Sequence, residues 1–128
     1  MTSRTKFGIA LVAAFALGGA MVEGIHAQSK SKAVYVIAEI EVTNLDAYVK
    51  DYAPKAQALI KKSGGTVLAA GQNVTALEGT PPAKRVALQR WESMDQLKAY
   101  RNSAEFKEVR KTGDKYAKFR AFAVEAMQ

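Results

Sequence analysis

From Ala33 to Thr43 every second residue is apolar: Val34, Val36, Ala38, Ile40 and Val42. Only an extended strand places such residues on one face, because successive side chains of a strand point to opposite sides. The other face of this predicted strand carries Tyr35, Ile37, Glu39 and Glu41. It is half apolar, so a partner rather than solvent is expected to cover it. A lone strand cannot satisfy its backbone, so the rest of the chain must supply a sheet.

The following residues do so in a definite order. Asn44 can cap a helix, and Asp46 lies in its first turn, where negative charge meets the positive end of the helix dipole. Leu45, Tyr48, Val49, Tyr52, Ala56, Leu59 and Ile60 recur at helical spacing. Pro54 must kink or break this helix, having no N–H and clashing with the turn before it. Lys61 and Lys62 suit its C-terminal end, and Gly64-Gly65 stops it. Thr66 to Ala70 reads as a second strand, with Val74 to Leu77 as a short extension beyond the Gly71-Gln72-Asn73 break. Gly79-Thr80-Pro81-Pro82 is a loop, and Arg85 to Trp91 a third strand. Ser93-Met94-Asp95-Gln96 has the form of a capping box opening a second helix, with Met94, Leu97 and Tyr100 inward. Asn102-Ser103 interrupts it, and Ser103 can cap a further segment with Phe106 and Val109 inward. Phe119 to Ala126 is the last strand. The order β-α-β-β-α-β predicts the α+β, ferredoxin-like fold: a four-stranded antiparallel sheet with helices on one face and the other face open.

The N-terminal residues differ in kind. Arg4 and Lys6 precede an apolar run from Phe7 to Val22, and Ala27 places a small residue before Gln28. Residues 1–27 are expected to be a cleaved signal peptide addressing the protein to a bacterial periplasm or the exterior. The run of 16 residues is short of the roughly 20 that span a bilayer, which disfavours retention as an anchor. Residues 28–33 read as a flexible lead-in to a domain over 34–126. Removing Arg4, Lys6 and Glu23 with the leader lowers the formal charge from +7 to +6.

The chain has no cysteine, and its one histidine, His26, falls in the leader. Disulfides, thiol nucleophiles, a Ser-His-Asp triad and His-ligated haem or metal are therefore not expected in the mature chain. An oxygen-only metal site stays open to such a chain, but its acids form no D-x-D-x-D-G type cluster, so no metal or cofactor is expected. The positive charge invites a nucleic-acid reading, with Lys107, Lys111, Lys115, Lys118 and Arg110 near one helical face. No stacking aromatics or groove-fitting element accompany them, so a solvated basic face is the expected reading and no nucleic-acid partner is expected. Tyr48, Tyr52, Trp91, Tyr100, Phe106, Phe119 and Phe122 sit where core packing explains them better than a ligand pocket does.

Several stretches together carry a resemblance. They are Tyr35-Val36-Ile37-Ala38-Glu39-Ile40-Glu41-Val42 with Ala47-Tyr48, Gly64-Gly65, Leu77-Glu78-Gly79, Arg85-Val86, and above all Trp91-Glu92-Ser93-Met94 leading to Tyr100-Arg101-Asn102-Ser103-Ala104-Glu105-Phe106. The sequence resembles the DUF 1330 family, a domain of unknown function in the dimeric α+β barrel superfamily, over about residues 34–126. The resemblance implies a homodimer. It brings no established activity, since the superfamily spans cofactor-free monooxygenases, muconolactone isomerases, haem enzymes and ligand-sensing modules. Three positions depart from the family pattern. Ala70 stands where an Arg is usual, Arg90 where an acid is usual, and Glu92 where a Pro often follows the aromatic.

The expected function is a small-molecule-binding or structural module, exported and without a stable membrane anchor after cleavage. The alternative is a cofactor-free enzyme, monooxygenase- or isomerase-like, on a small aromatic or lactone-like substrate. No catalytic residue is assigned. Tyr35, Glu39 and Arg90 are the candidate ligand-binding residues. If Trp91 points to the helices, Arg90 reaches the open face beside Glu39, where the two charges are expected to pair; the opposite phase of the third strand would bring Gln89 there instead. Trp91 is the larger group to bury, which favours the first phase.

Overall fold

The computed structural model describes residues 31–127. The leader and the first residues of the lead-in lie outside them. Strand β1 (Val34–Val42) leads into a helical arm made of α1 (Leu45–Ala47), a π-helical turn (Tyr48–Tyr52) and α2 (Ala53–Lys62). Strands β2 (Thr66–Gly71) and β3 (Arg85–Trp91) follow, then α3 (Met94–Asn102), α4 (Ala104–Asp114) and β4 (Ala117–Glu125). The sheet order is β2-β3-β1-β4, with each neighbouring pair antiparallel. The ferredoxin-like arrangement expected from the sequence is the one observed. Residues 74–77 are not a strand but part of the long β2–β3 connection, and β4 starts two residues earlier than the pattern indicated.

The local chemistry explains the boundaries. The Asn44 side chain accepts from the Ala47 N–H at 3.2 Å. Ser93 Oγ accepts from the Gln96 N–H at 3.1 Å, while Gln96 Oε1 reaches back to the Glu92 N–H at 2.9 Å, one residue beyond the usual partner. Ser103 Oγ accepts from the Phe106 N–H at 3.1 Å, so one hydroxyl separates α3 from α4. At the end of α2, Gly64 takes φ +98, the Gly64 N–H meets the Lys61 carbonyl, and the Gly65 N–H meets the Ile60 carbonyl. This pair of bonds is the Schellman closure that only a residue free to enter the left-handed region forms cheaply.

Register settles the faces. Val34 stands opposite Trp91, Tyr35 opposite Arg90, Ile37 opposite Leu88 and Glu39 opposite Val86. Directly opposed residues share a face. Trp91 therefore points to the helices and Arg90 to the open face, which resolves the phase of β3 as the bulk of Trp91 suggested. The core lies on the helix side, in two adjoining clusters. One gathers Val34, Val36, Leu59, Ile60, Trp91, Leu97 and Tyr100; the other gathers Ala38, Ile40, Tyr48, Tyr52 and Ala117.

Candidate ligand-binding site

The three residues singled out from the sequence all lie on the open face, but they do not form one site. Tyr35 and Arg90 are cross-strand partners. Glu39 is four positions further along β1, roughly 13 Å at the usual rise per residue. Arg90 pairs instead with Glu92, Nη1 to Oε1 at 2.8 Å. Glu39 pairs with Arg120, its direct partner on β4, and also accepts from the Ala83 N–H at 3.0 Å. The expected Glu39–Arg90 pair is thus corrected. Each charge found a nearer counterion, Glu92 two residues along the same strand face and Arg120 across the neighbouring strand. Removing Glu39 would strand the Ala83 N–H and Arg120, not Arg90.

A different constellation occupies the space between sheet and helices, and none of those three residues lines it. The cavity measures about 70 Å³, room for a few waters or one small polar group. Its floor is the inner face of the sheet: Val36, Ala38 and Ile40 from β1, Arg85, Ala87 and Gln89 from β3, and Phe119 from β4. The helices contribute Tyr48, Tyr52, Gln57, Tyr100, Arg101 and Arg110. A larger cleft of about 350 Å³ adjoins it between α3 and β4, sharing Val36, Arg101 and Ala121 and adding Met94, Leu97 and Ala123.

Pro54 prepares part of this wall. The proline offers no N–H to the Lys50 carbonyl and its ring crowds it. The preceding turn widens, and the Ala53 N–H bonds back to the Tyr48 carbonyl, a five-residue step. Turns of this kind recur at functional sites. The break foreseen at Pro54 is this π-helical turn, and it buries Tyr48 and Tyr52 together, ring centres 5.2 Å apart.

Rings and guanidiniums then alternate through the site. Arg85 lies over Tyr48 at 5.1 Å from the ring centre, and Tyr52 packs on Phe119 at 5.5 Å. Arg110 lies over Phe119 at 3.9 Å. Arg110 and Arg101 both approach Phe106, at 4.8 and 4.9 Å. Such contacts are worth about 0.5–2 kcal/mol each, depending on desolvation. Among the described residues no carboxylate forms an ion pair with Arg85, Arg101 or Arg110. Arg110 Nε is buried and has no hydrogen-bond partner.

The environment also tunes protons. Burial, followed by the charge of Arg110, lowers the pKa of Arg101. Burial and the neighbouring Tyr52 raise Tyr48, with Arg85 and Arg110 pulling the other way. Tyr100 is pushed up to about 12, mainly by burial. The Tyr48 and Tyr100 hydroxyls are therefore protonated at neutral pH and can donate hydrogen bonds. The cavity lining contains no Asp, Glu or His, so it offers positive charge and donors, not a carboxylate or imidazole base. Among the described residues no cluster of three or more His, Cys, Asp or Glu could hold a metal ion, and no helix is long and apolar enough to cross a membrane.

Sequence reasoning missed Arg85, Gln89, Arg101 and Arg110. Arg110, expected on the basic solvent face, turns inward, whereas Lys107, Lys111 and Lys115 are exposed. The signal available was Phe106, four residues earlier and so on the same helix face. Lys118 also leaves that group, because it lies on β4 opposite Glu41. Of the aromatics, Tyr48, Tyr52, Tyr100 and Phe119 serve core and lining at once, while Phe122 points to the open face opposite Ile37.

A sheet of this order with helices on one face defines an α+β, ferredoxin-like protein, and solved structures share it. A protein of unknown function from Rhodopseudomonas palustris has 14% identity and a TM-score of 0.57, over 82% of this chain and 93% of that one. SnoaB from Streptomyces nogalater, a cofactor-independent oxygenase, has 12% identity and a TM-score of 0.57, over 77% and 96%. A dimeric protein of unknown function and ferredoxin-like fold from Bacteroides fragilis has 12% identity and a TM-score of 0.51, over 73% and 96%. No curated protein matches the sequence. The chain belongs to the DUF1330 family, a domain of unknown function, which it matches over residues 33–127.

Proposed function

We propose that this protein is an exported homodimer that binds a small molecule in the cavity between its sheet and its helices. The observation that carries the reading is the lining itself: protonated tyrosines, two glutamines and three guanidiniums converge on an apolar space next to a wider cleft. Ligand sites characteristically combine an apolar wall with a few placed polar groups in this way. The competing reading is a cofactor-free enzyme of oxygenase or isomerase type, in keeping with the fold shared with the Streptomyces oxygenase. Fold alone does not select chemistry, and general-base catalysis needs a group poised near neutral pH that this lining lacks. Binding is therefore preferred.

The dimer follows from the open face. Tyr35, Ile37, Val86, Leu88, Phe122 and Val124 project from it, and Phe122 and Val124 are about half exposed. A continuous apolar surface of this kind favours burial against an identical one across a two-fold axis. Export rests on the charged start, apolar run and Ala27 of the leader.

The test is one preparation from the native host, read three ways. Its intact mass should correspond to a chain lacking residues 1–27, light scattering should give a dimer, and a thermal-shift screen of small organic molecules should return stabilising hits. Full-length protein held in membranes would overturn export, and a monomer at micromolar concentration would overturn the dimer. A broad screen without a hit would overturn the binding role.

A further inference from the structure

Charge narrows the class of ligand this cavity can take. Arg85, Arg101 and Arg110 are half-buried, and a cation drawn even partly out of water is costly to leave without a counter-charge. Here three guanidiniums face one cavity with no acid among its lining residues. Two of them stand on the same phenyl ring, Arg101 at 4.9 Å and Arg110 at 4.8 Å from the Phe106 centre. Like charges held this close repel each other, and aromatic contacts offset only part of that. Arg110 Nε is the buried donor left without a partner, and orphaned donors in a folded interior call for an explanation. The carboxylates that do form ion pairs meet other cations: Glu39 with Arg120, Glu92 with Arg90, Glu105 with Lys62, Glu108 with Lys111 and Glu125 with Lys32.

We propose that the cavity binds an organic monocarboxylate, its anionic group set on Arg110 and Arg101 and its apolar body in the adjoining cleft. This rests on the small-molecule reading above and adds the class of ligand. The inner space suits the headgroup alone, while the cleft lined by Met94, Leu97 and Ala121 takes a ring or short alkyl chain. A guanidinium presents a planar fork matched to the two oxygens of a carboxylate. Arg101 lines both spaces, so it meets the ligand at the junction, and Arg85 with the Tyr48 hydroxyl closes the far side.

The probes are benzoate and its neutral counterpart benzamide, with acetate as the headgroup alone, measured by calorimetry and thermal shift on the mature dimer at pH 7. Benzoate should bind at least about tenfold more tightly than benzamide, and acetate should compete with it. Arg110→Met removes the guanidinium that lies over Phe119 while keeping a long unbranched side chain, and should abolish the preference. Arg110→Lys keeps the charge but removes the Nε donor and should reduce it. Should Arg110→Met fail to fold, Arg101→Met with the wild-type circular dichroism spectrum serves in its place. Equal binding of benzoate and benzamide would overturn the carboxylate proposal while leaving small-molecule binding intact. So would a preference that survives both arginine-to-methionine changes. Binding of neither probe at millimolar concentration would also overturn it, and the wider screen judges the parent reading separately.

Discussion

Trp91→Ala is expected to destabilise the domain by about 4 kcal/mol, within the roughly 3–5 kcal/mol usual for emptying a buried aromatic site. Trp91 is 0% exposed, ends β3 against Val34, and stacks on Tyr100 with ring centres 4.6 Å apart. Its Nε1 donates to Gln89 Oε1 at 3.0 Å. Gly65 leaves the indole its room: a Cβ there would come within 2.7 Å of two indole carbons. Neighbours this tightly fitted collapse poorly into a void, so the transfer and cavity contributions add. Against a total stability of about 5–15 kcal/mol, such a loss leaves a small domain marginal. Urea unfolding should be followed by far-ultraviolet circular dichroism, since Trp91 is the chain's only tryptophan and its fluorescence disappears with it. A loss under about 1 kcal/mol would contradict this account of the core. Trp91→Phe should fall between, because it keeps much of the packing but leaves the Gln89 oxygen without its donor.

The fold was legible because its strongest signals are local. The alternation in β1, the caps at Asn44, Ser93 and Ser103, and the Gly64-Gly65 stop each act within a few residues, and each formed as read. The face of β3 was legible from one residue, Trp91. Pairing across the sheet was not. Glu39 and Arg90 share a face, but register sets them four residues apart, and register depends on connections whose lengths the pattern leaves free. The binding cavity was hidden for another reason. Arg85 and Gln89 occupy inward positions of β3, and Arg110 an inward position of α4, where a charge count assigns such residues to solvent. Only the packing shows that the guanidiniums of Arg85 and Arg110 lie over aromatic rings and that Gln89 accepts from the Trp91 indole N–H. The structure also separates the family departures. Ala70 lines the cavity, while Arg90 lies on the opposite face of the sheet, so these two changes do not act on one pocket.

Gly113→Ala is expected to lower stability by about 1–3 kcal/mol, the range for overpacking a filled site, and to weaken benzoate binding. The intrinsic preference runs the other way. Gly113 lies near the end of α4 with ordinary backbone angles, and alanine there would gain up to about 1 kcal/mol in helix propensity. Sterics decide against it, because the added Cβ would fall 2.5 Å from Tyr52 Cε1 and within 2.9 Å of two further ring atoms. Tyr52 has little freedom to give way. Its ring packs on Tyr48 on one side and Phe119 on the other, at 5.2 and 5.5 Å between centres. The unfilled space beside it is the cavity, so relief of the overlap moves the phenol into the position proposed for the ligand. The double variant Gly113→Ala with Tyr52→Leu should then be less destabilised than the two single changes added together, since residues in contact couple. Urea midpoints for the four proteins of this cycle, with near-ultraviolet circular dichroism to follow the tyrosines, measure that coupling. If Gly113→Ala is as stable as wild type and binds benzoate equally well, the close fit of α4 on Tyr52 does not shape the site.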